Sequence, residues 1–213
     1  MSGLIKILLV DDHAIVRAGF RLLLASEATL AVVAEAERGE AACQLYWELQ
    51  PDVTVLDLSM PGIGGLETLR RICQRDSQAK VLVFSVHDES VYVNRAMAAG
   101  AKGYITKSSA PGILVAAIQT IAQGGVYIEQ GLLNAPPAAQ AADYRAIIET
   151  LSAREFDIFL LLAKGLTAHK IAEELCLGYK TVANYGTQIK AKLKVASVAE
   201  LAHIAMVLGV MKG

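Results

Sequence analysis

Cysteine is scarce in this chain: three in 213 residues, Cys43, Cys73 and Cys176, odd in number and far apart. That pattern excludes a disulfide framework, and the three are read as buried, reduced thiols in a cytoplasm. No local signature marks Cys176 for redox chemistry. Long apolar runs are also missing. Although 54% of the residues are hydrophobic, charges such as Lys6, Arg17 and Arg21 keep every run well short of the roughly 18 residues of a membrane span. The first apolar run begins almost at Met1, leaving no room for a signal peptide, so a soluble protein with no membrane partner is expected. No internal repeat is apparent, and the formal net charge is only −1. The length suits one large or two modest domains.

What is present is a set of acids at the ends of apolar runs. Asp11 and Asp12 follow Leu4 to Val10, and Asp57 follows Val53 to Leu56. Continuous Val/Ile/Leu runs are strands buried on both faces, as in parallel sheets, and ligands of such sheets bind beyond the carboxyl ends of the strands. The three acids should therefore converge. Their mutual repulsion requires a hard divalent cation, and few oxygen ligands with open water positions favour Mg²⁺ over Ca²⁺. Two later runs end in a hydroxyl and a cation: Val81 to Phe84 leads into Ser85, and Gly103 to Thr106 into Lys107. A Lys there can pair with Asp57 at rest and with a phosphoryl oxygen after transfer, and the Ser can donate to another oxygen. The arrangement reads as a phosphoryl-accepting site. Any one acid alone could be a cap or turn residue; five residues in register are not explained that way. His13, opening the first helix, is read as a surface or capping residue, and His87 at the rim as incidental.

Apolar runs near 4 to 10, 30 to 35, 53 to 56, 80 to 84 and 102 to 105 alternate with helical patterns, and the last helix runs from Pro111 to Gln123 before Gly124-Gly125. The expected fold is α/β, a doubly wound parallel (βα)₅ unit over 1–125, followed by a small all-α domain. A linker is expected over 126–147, where Pro136-Pro137 stops helix and bulky residues are few, although its Ala-rich second half could extend a helix. From 148 to 213 four short helices are expected. Ser152 with Glu155 and Ser197 with Glu200 form capping boxes. Between them lie Thr167 to Leu175, a turn at Cys176-Leu177-Gly178, and Thr181 to Leu193. In the last of these, Val182, Tyr185, Ile189 and Leu193 share one face, and Lys180, Asn184, Thr187 and Gln188 the other. This is a helix-turn-helix pattern whose Asn and Gln can bond adenine edges and whose Lys can bond phosphate or guanine. Charge supports it weakly: the chain carries about −3 up to Gln130 and +2 after it, with six Lys against two Glu between Lys164 and Lys194.

Asp11-Asp12, Asp57, Ser85 and Lys107, with the Asp-Asp-His opening and Met60-Pro61, resemble the receiver domain of two-component response regulators of the NarL/FixJ branch. The resemblance implies Asp57 as the nucleophile that takes phosphate from a sensor histidine kinase. It also implies Asp12, Asp57 and the backbone carbonyl of Ser59 as metal ligands, with Asp11 acting largely through water. Ser85 and Tyr104 stand at the positions of the family's switch pair, in which the hydroxyl turns to the phosphate and the aromatic ring turns inward. Gly64 departs from the Asp common there, loosening a turn rather than the chemistry. The stretches Leu151-Ser-Ala-Arg-Glu, Leu162-Ala-Lys-Gly-Leu-Thr, Lys180-Thr-Val and Lys192-Leu-Lys-Val resemble the LuxR-type DNA-binding domain. That implies Thr181 to Leu193 as recognition helix, with Lys180, Thr181, Asn184, Tyr185, Thr187 and Gln188 as DNA-facing candidates. Ala183, Tyr185 and Gly186 depart from the family's usual Lys, His and β-branched residue, though some members carry the Tyr; Val198 stands where Arg is frequent.

The resulting expectation is a bacterial cytoplasmic response regulator, not an enzyme beyond slow self-dephosphorylation, with Mg²⁺ as cofactor. Its expected partners are a histidine kinase, double-stranded DNA and, when phosphorylated, a second copy. Two rivals are a phosphorylated adaptor whose diverged effector domain acts through protein contacts, and a Mg²⁺-dependent phosphatase working through an aspartyl phosphate.

Overall fold

The computed structural model describes residues 3–132 and 139–211, with side chains in the second stretch from Tyr144 onward. They form two compact units, one holding nearly all of 3–132 and the other 139–211.

In the first unit the apolar runs become strands β1 (Ile5–Val10), β2 (Leu30–Ala36), β3 (Val53–Leu56), β4 (Val81–Ser85) and β5 (Gly103–Thr106), joined by helices α1 (Ala14–Ala25), α2 (Gly39–Leu49), α3 (Gly65–Arg75) and α4 (Ser90–Ala98) and followed by α5 (Pro111–Ala122). The sheet is wholly parallel, in the order β2-β1-β3-β4-β5 with a sixth strand beyond β5. Alternate strand residues face opposite sides. Ile7, Leu9, Val53, Val55, Leu82, Phe84 and Ile105 pack on α1 and α5 through Leu24, Leu114, Ala117, Ile118 and Ile121. Each fully buried aliphatic contributes about 1.5–3 kcal/mol relative to exposure.

The sixth strand, β6 (Tyr127–Ile128), corrects the expected boundary. It pairs with Gly103 and Tyr104 of β5, so the first residues of the 126–147 segment complete the sheet. A two-residue edge strand is set by its partner rather than by a local apolar pattern. The Ala-rich end of that segment is helical, as α6 (Ala139–Glu149), whereas the Pro136-Pro137 stop lies outside the described residues.

The second unit continues with α7 (Ala153–Ala163), α8 (Ala168–Glu174), α9 (Tyr179–Leu193) and α10 (Val198–Val207). Both bonds of the Ser152/Glu155 capping box form. At Ser197 the return bond goes instead to the preceding amide: Glu200 Oε2 accepts from Ala196 N at 3.0 Å, while Ser197 Oγ accepts from Glu200 N at 3.2 Å. Phe156, Phe159, Ile171, Val182, Ile189, Leu193, Leu201 and Ile204 are buried. The cysteines are not all buried as expected. Cys43 and Cys73 are half-buried, and Cys176 is exposed in the turn before α9, at φ 53°. Among the described residues no helix is long and apolar enough to cross a membrane.

Candidate functional site

Strand register brings the acids together. Val10 pairs with Leu56 across β1 and β3, so Asp11 and Asp57 emerge side by side, and the Asp57 amide donates to the Val10 carbonyl at 2.9 Å. Ser85 pairs with Thr106 across β4 and β5, which starts Lys107 beside Ser85. The Lys107 amide donates to the Ser85 carbonyl at 2.7 Å. Asp57 is 1% exposed, Asp11 2% and Ser85 0%; this is an interior site reached from the carboxyl edge of the sheet.

Lys107 closes it. Its Nζ lies 2.7 Å from Asp57 Oδ2 and 2.6 Å from Asp11 Oδ2. Burial works against the ammonium, but Asp57 and Asp11 outweigh it and hold Lys107 above the ordinary lysine value. Burial pushes the Asp57 carboxyl up, and Asp11 adds to that push against the pull of Lys107 and the Ser59 amide. The Ser59 amide donates to Asp57 Oδ1 at 3.2 Å. The backbone after Asp57 runs close to α3: a Cβ on Gly65 would lie 2.1 Å from the Asp57 carbonyl oxygen, so no other residue fits there. Gly64, the N-cap of α3, adopts φ 75°, a conformation glycine takes at no steric cost.

One atom of each of Asp11, Asp12, His13 and Asp57 lies within 4.8 Å of the others. Asp11 is already engaged, Oδ2 by Lys107 and Oδ1 by the His13 amide at 2.8 Å. Asp12 is different. Its Oδ1 lies 2.9 Å from His13 Nδ1 yet is buried and accepts no hydrogen bond. Burying a carboxylate oxygen that accepts no hydrogen bond is costly, and a cation at this cluster would satisfy it. The three carboxylates supply hard oxygen donors that fit an ion such as Mg²⁺, with the His13 ring as the one nitrogen beside them.

The other expected site residues fall as follows. Tyr104 is fully buried, and its hydroxyl donates to the His87 carbonyl at 2.9 Å, so its ring already lies inward. Ser85 Oγ accepts from the His87 amide at 3.3 Å. In α9, Lys180, Thr181, Asn184, Thr187 and Gln188 are exposed, and Tyr185 is half-buried. Gly186, not Tyr185, fills the buried slot between Val182 and Ile189. The helix begins at Tyr179, two residues earlier than expected. Of the six lysines in the basic stretch, Lys192 is taken up by the buried Glu155, at 2.7 and 2.8 Å from its two oxygens.

Several residues escaped sequence reasoning. His87, read there as incidental, bonds Ser59 Oγ through Nε2 at 3.0 Å and stacks on Tyr92 with ring centroids 3.9 Å apart. His13 does more than open a helix, since its ring lies against both acids. Arg17, 8% exposed, donates to the Asp11 carbonyl at 2.7 Å and to Glu35 and Glu37, bracing the β1–α1 turn. His169 stacks on Tyr179 at 4.2 Å beside the start of α9. His87, Arg17 and His169 depend on neighbours well separated in sequence, which no periodicity announces, whereas His13 rests on the acids just before it.

Comparison with known proteins gives two family matches: the response regulator receiver domain over residues 7–119 and the bacterial regulatory proteins of the luxR family over residues 149–205. The chain is 42% identical over 209 residues to the transcriptional activator protein ExaE of Pseudomonas putida, covering 97% of this chain and 98% of that protein. It is 38% identical over 205 residues to the response regulator GacA of Pseudomonas aeruginosa, covering 95% and 96%. Among solved structures, a LuxR-family two-component response regulator from Aurantimonas sp. SI85-9A1 matches with 45% identity and a TM-score of 0.59, over 61% of this chain and 93% of that one. The RcsB response regulator of Salmonella typhimurium shares the fold over 96% of this chain and 98% of its own, with a TM-score of 0.68 at 23% identity.

Proposed function

Because this chain belongs to the response regulators, carrying a receiver domain followed by a LuxR-family domain, we propose that it is a DNA-binding transcriptional regulator switched by phosphorylation of Asp57. The observation that carries the reading is Asp57 itself, buried at the end of β3 with Lys107 Nζ 2.7 Å from Oδ2.

The donor is a phosphohistidine of a sensor kinase. A carboxylate oxygen of Asp57 attacks its phosphorus, the P–N bond breaks as the P–O bond forms, and the imidazole leaves. Asp12, Asp57 and the Ser59 carbonyl, with Asp11 behind them, would hold Mg²⁺, which would supply charge neutralisation for the transferring phosphoryl group. Lys107 gives up Asp57 Oδ2 and pairs with a phosphoryl oxygen, while Ser85 turns its hydroxyl to another. Tyr104, the second member of the switch pair, already lies inward with its hydroxyl on the His87 carbonyl and keeps that position as Ser85 turns. New bonds of this kind need to favour the active state by only about 1–3 kcal/mol to control the other unit. Hydrolysis of the acyl phosphate ends the signal, and the chain has no other enzymatic role.

The effector is the unit over 148–213, reached through a connecting segment that starts after β6. Its exposed Lys180, Thr181, Asn184, Thr187 and Gln188 enter the major groove, with the half-buried Tyr185 within reach of a phosphate. Exposed Ala183 contributes no charge, so one copy binds weakly. A phosphorylated dimer places two α9 helices on half-sites about one helical turn apart. A cytoplasmic location follows from kinase and DNA as partners. The experiment is mass mapping of phosphate from acetyl phosphate and Mg²⁺: one group on the Asp57 peptide is expected, and an equal yield in Asp57→Asn would refute the assignment.

A further inference from the structure

Lys107 stands on a long, flexible stem at the point where the chain leaves the sheet, and holding such a side chain in one place costs rotamer freedom. Its last sheet bond is from its own amide to Ser85. Beyond that the chain turns, with the Ser109 amide donating to the Thr106 carbonyl at 3.1 Å. A carboxylate outside the reacting set grips this turn. Glu129 Oε2 accepts from the Thr106 amide at 2.8 Å and the Thr106 hydroxyl at 3.0 Å, and Oε1 accepts from the Ser109 hydroxyl at 2.6 Å. With those two hydroxyl protons committed, Ser108 Oγ, 2.9 Å from Thr106 Oγ1, supplies its own proton to it. Glu129 is itself anchored, since its amide donates to the Tyr104 carbonyl at 3.0 Å, extending the β5–β6 ladder. Hydrogen bonds to a carboxylate are short and about twice as strong as neutral ones. Three of them hold the residues flanking Lys107 on both sides.

We infer that Glu129 is a positioning residue for phosphoryl transfer: it fixes the Thr106–Ser109 turn and so sets where the Lys107 ammonium stands between Asp57 and Asp11. This rests on Asp57 being the phosphoacceptor. The negative charge of Glu129 does not touch the reacting atoms; it acts through Lys107.

The test is the initial rate of Asp57 phosphorylation in the full chain with acetyl phosphate and Mg²⁺. Glu129→Ala should slow it by about tenfold, well inside the cost of a small misplacement at a reacting centre. Glu129→Gln should recover most of the rate, because its amide oxygen can accept from Thr106 and its NH₂ can donate to Ser109. Ser109→Ala removes one bond and leaves β6 alone; a loss of about threefold is expected by the same reasoning, and it does not depend on Glu129→Ala folding. In a Lys107→Ala background, itself slower than wild type, adding Glu129→Ala should change the rate by less than about twofold, since residues acting as one unit are not additive. A wild-type rate in Glu129→Ala and Ser109→Ala overturns the inference. So does the same proportional loss with and without Lys107, which marks a general structural effect. A wild-type chain that takes no phosphoryl group at Asp57 overturns the underlying reading, and is seen before any variant is made.

Discussion

Gly186 lies on the buried side of α9, in the middle of the helix proposed to read DNA. Glycine in a helix interior costs about 0.5–1 kcal/mol relative to Ala, because it loses the most backbone freedom on folding. The usual reason for tolerating it, a neighbour pressed against the backbone, does not hold here. A Cβ built at Gly186 meets Leu162 Cδ1 of α7 at 3.5 Å, an ordinary van der Waals contact. Gly186→Ala should therefore gain the propensity term and part of the roughly 0.8 kcal/mol of one more buried carbon, in all about 1–1.5 kcal/mol. Amide exchange of the full chain, followed on the peptide covering α9, reads this locally. About five- to tenfold more protection is expected, because 1.4 kcal/mol is a factor of ten. The new methyl points at α7, away from Lys180 and Asn184, so affinity for DNA should not fall. Unchanged or weaker protection would mean that α9 does not seat on α7 as described.

Thr54, fully buried on the central strand β3, has no hydrogen-bond partner for its hydroxyl among the described residues. Thr54→Val keeps the shape and removes an unpaired buried hydroxyl whose cost in proteins is about 1–3 kcal/mol, so urea unfolding followed by Trp47, the single tryptophan, should shift to higher denaturant; a shift downward would show that the hydroxyl is satisfied. Glu155 is held below the usual carboxylate range: burial opposes its charge, but Lys192 and the bonds from Ser152 outweigh that. A depressed carboxyl stabilises above its unfolded value of about 4.3 and loses that contribution as pH falls through the native value, so the second unit should loosen in that acid window. Glu155→Gln should flatten this pH dependence, and an unaltered profile would count against the Glu155–Lys192 pair. Lys180→Ala should weaken DNA binding and make the log–log salt slope shallower by about one unit, whereas Asn184→Ala should weaken it with the slope kept; identical isotherms for both would move the reading surface elsewhere.

The proposed phosphoacceptor constellation was legible because parallel strands buried on both faces announce themselves as apolar runs, and the residues that end them must gather at one edge. Asp11, Asp57, Ser85 and Lys107 needed no other information to be placed together. The capping pairs at Ser152 and Ser197 marked helix starts for an equally local reason. What stayed hidden is tertiary. β6 is two residues long and exists through β5. Glu129, Arg17 and His87 are ordinary polar residues until a turn far away in sequence is brought against them. Tyr185 and Gly186 exchanged places for a subtler cause: helical periodicity assigns an apolar aromatic to the inner face, but the helix turns the next position, Gly186, toward Leu162 of α7 and leaves Tyr185 half-buried at its edge. Cys176 misled in the opposite sense, since cysteine is usually buried, and here it occupies a left-handed turn position open to solvent.

The account's central claim joins Asp57 to α9, and one selection tests both ends of it. Random and genomic duplexes would be sorted for binding at stated salt by the full chain treated with a phosphoryl donor and Mg²⁺, with Asp57→Asn treated alike. The account predicts enrichment of a paired half-site sequence by the wild-type chain, lost or much reduced in Asp57→Asn. Equal enrichment by both proteins would contradict control through Asp57, and no enrichment by either would contradict the DNA-binding role of α9.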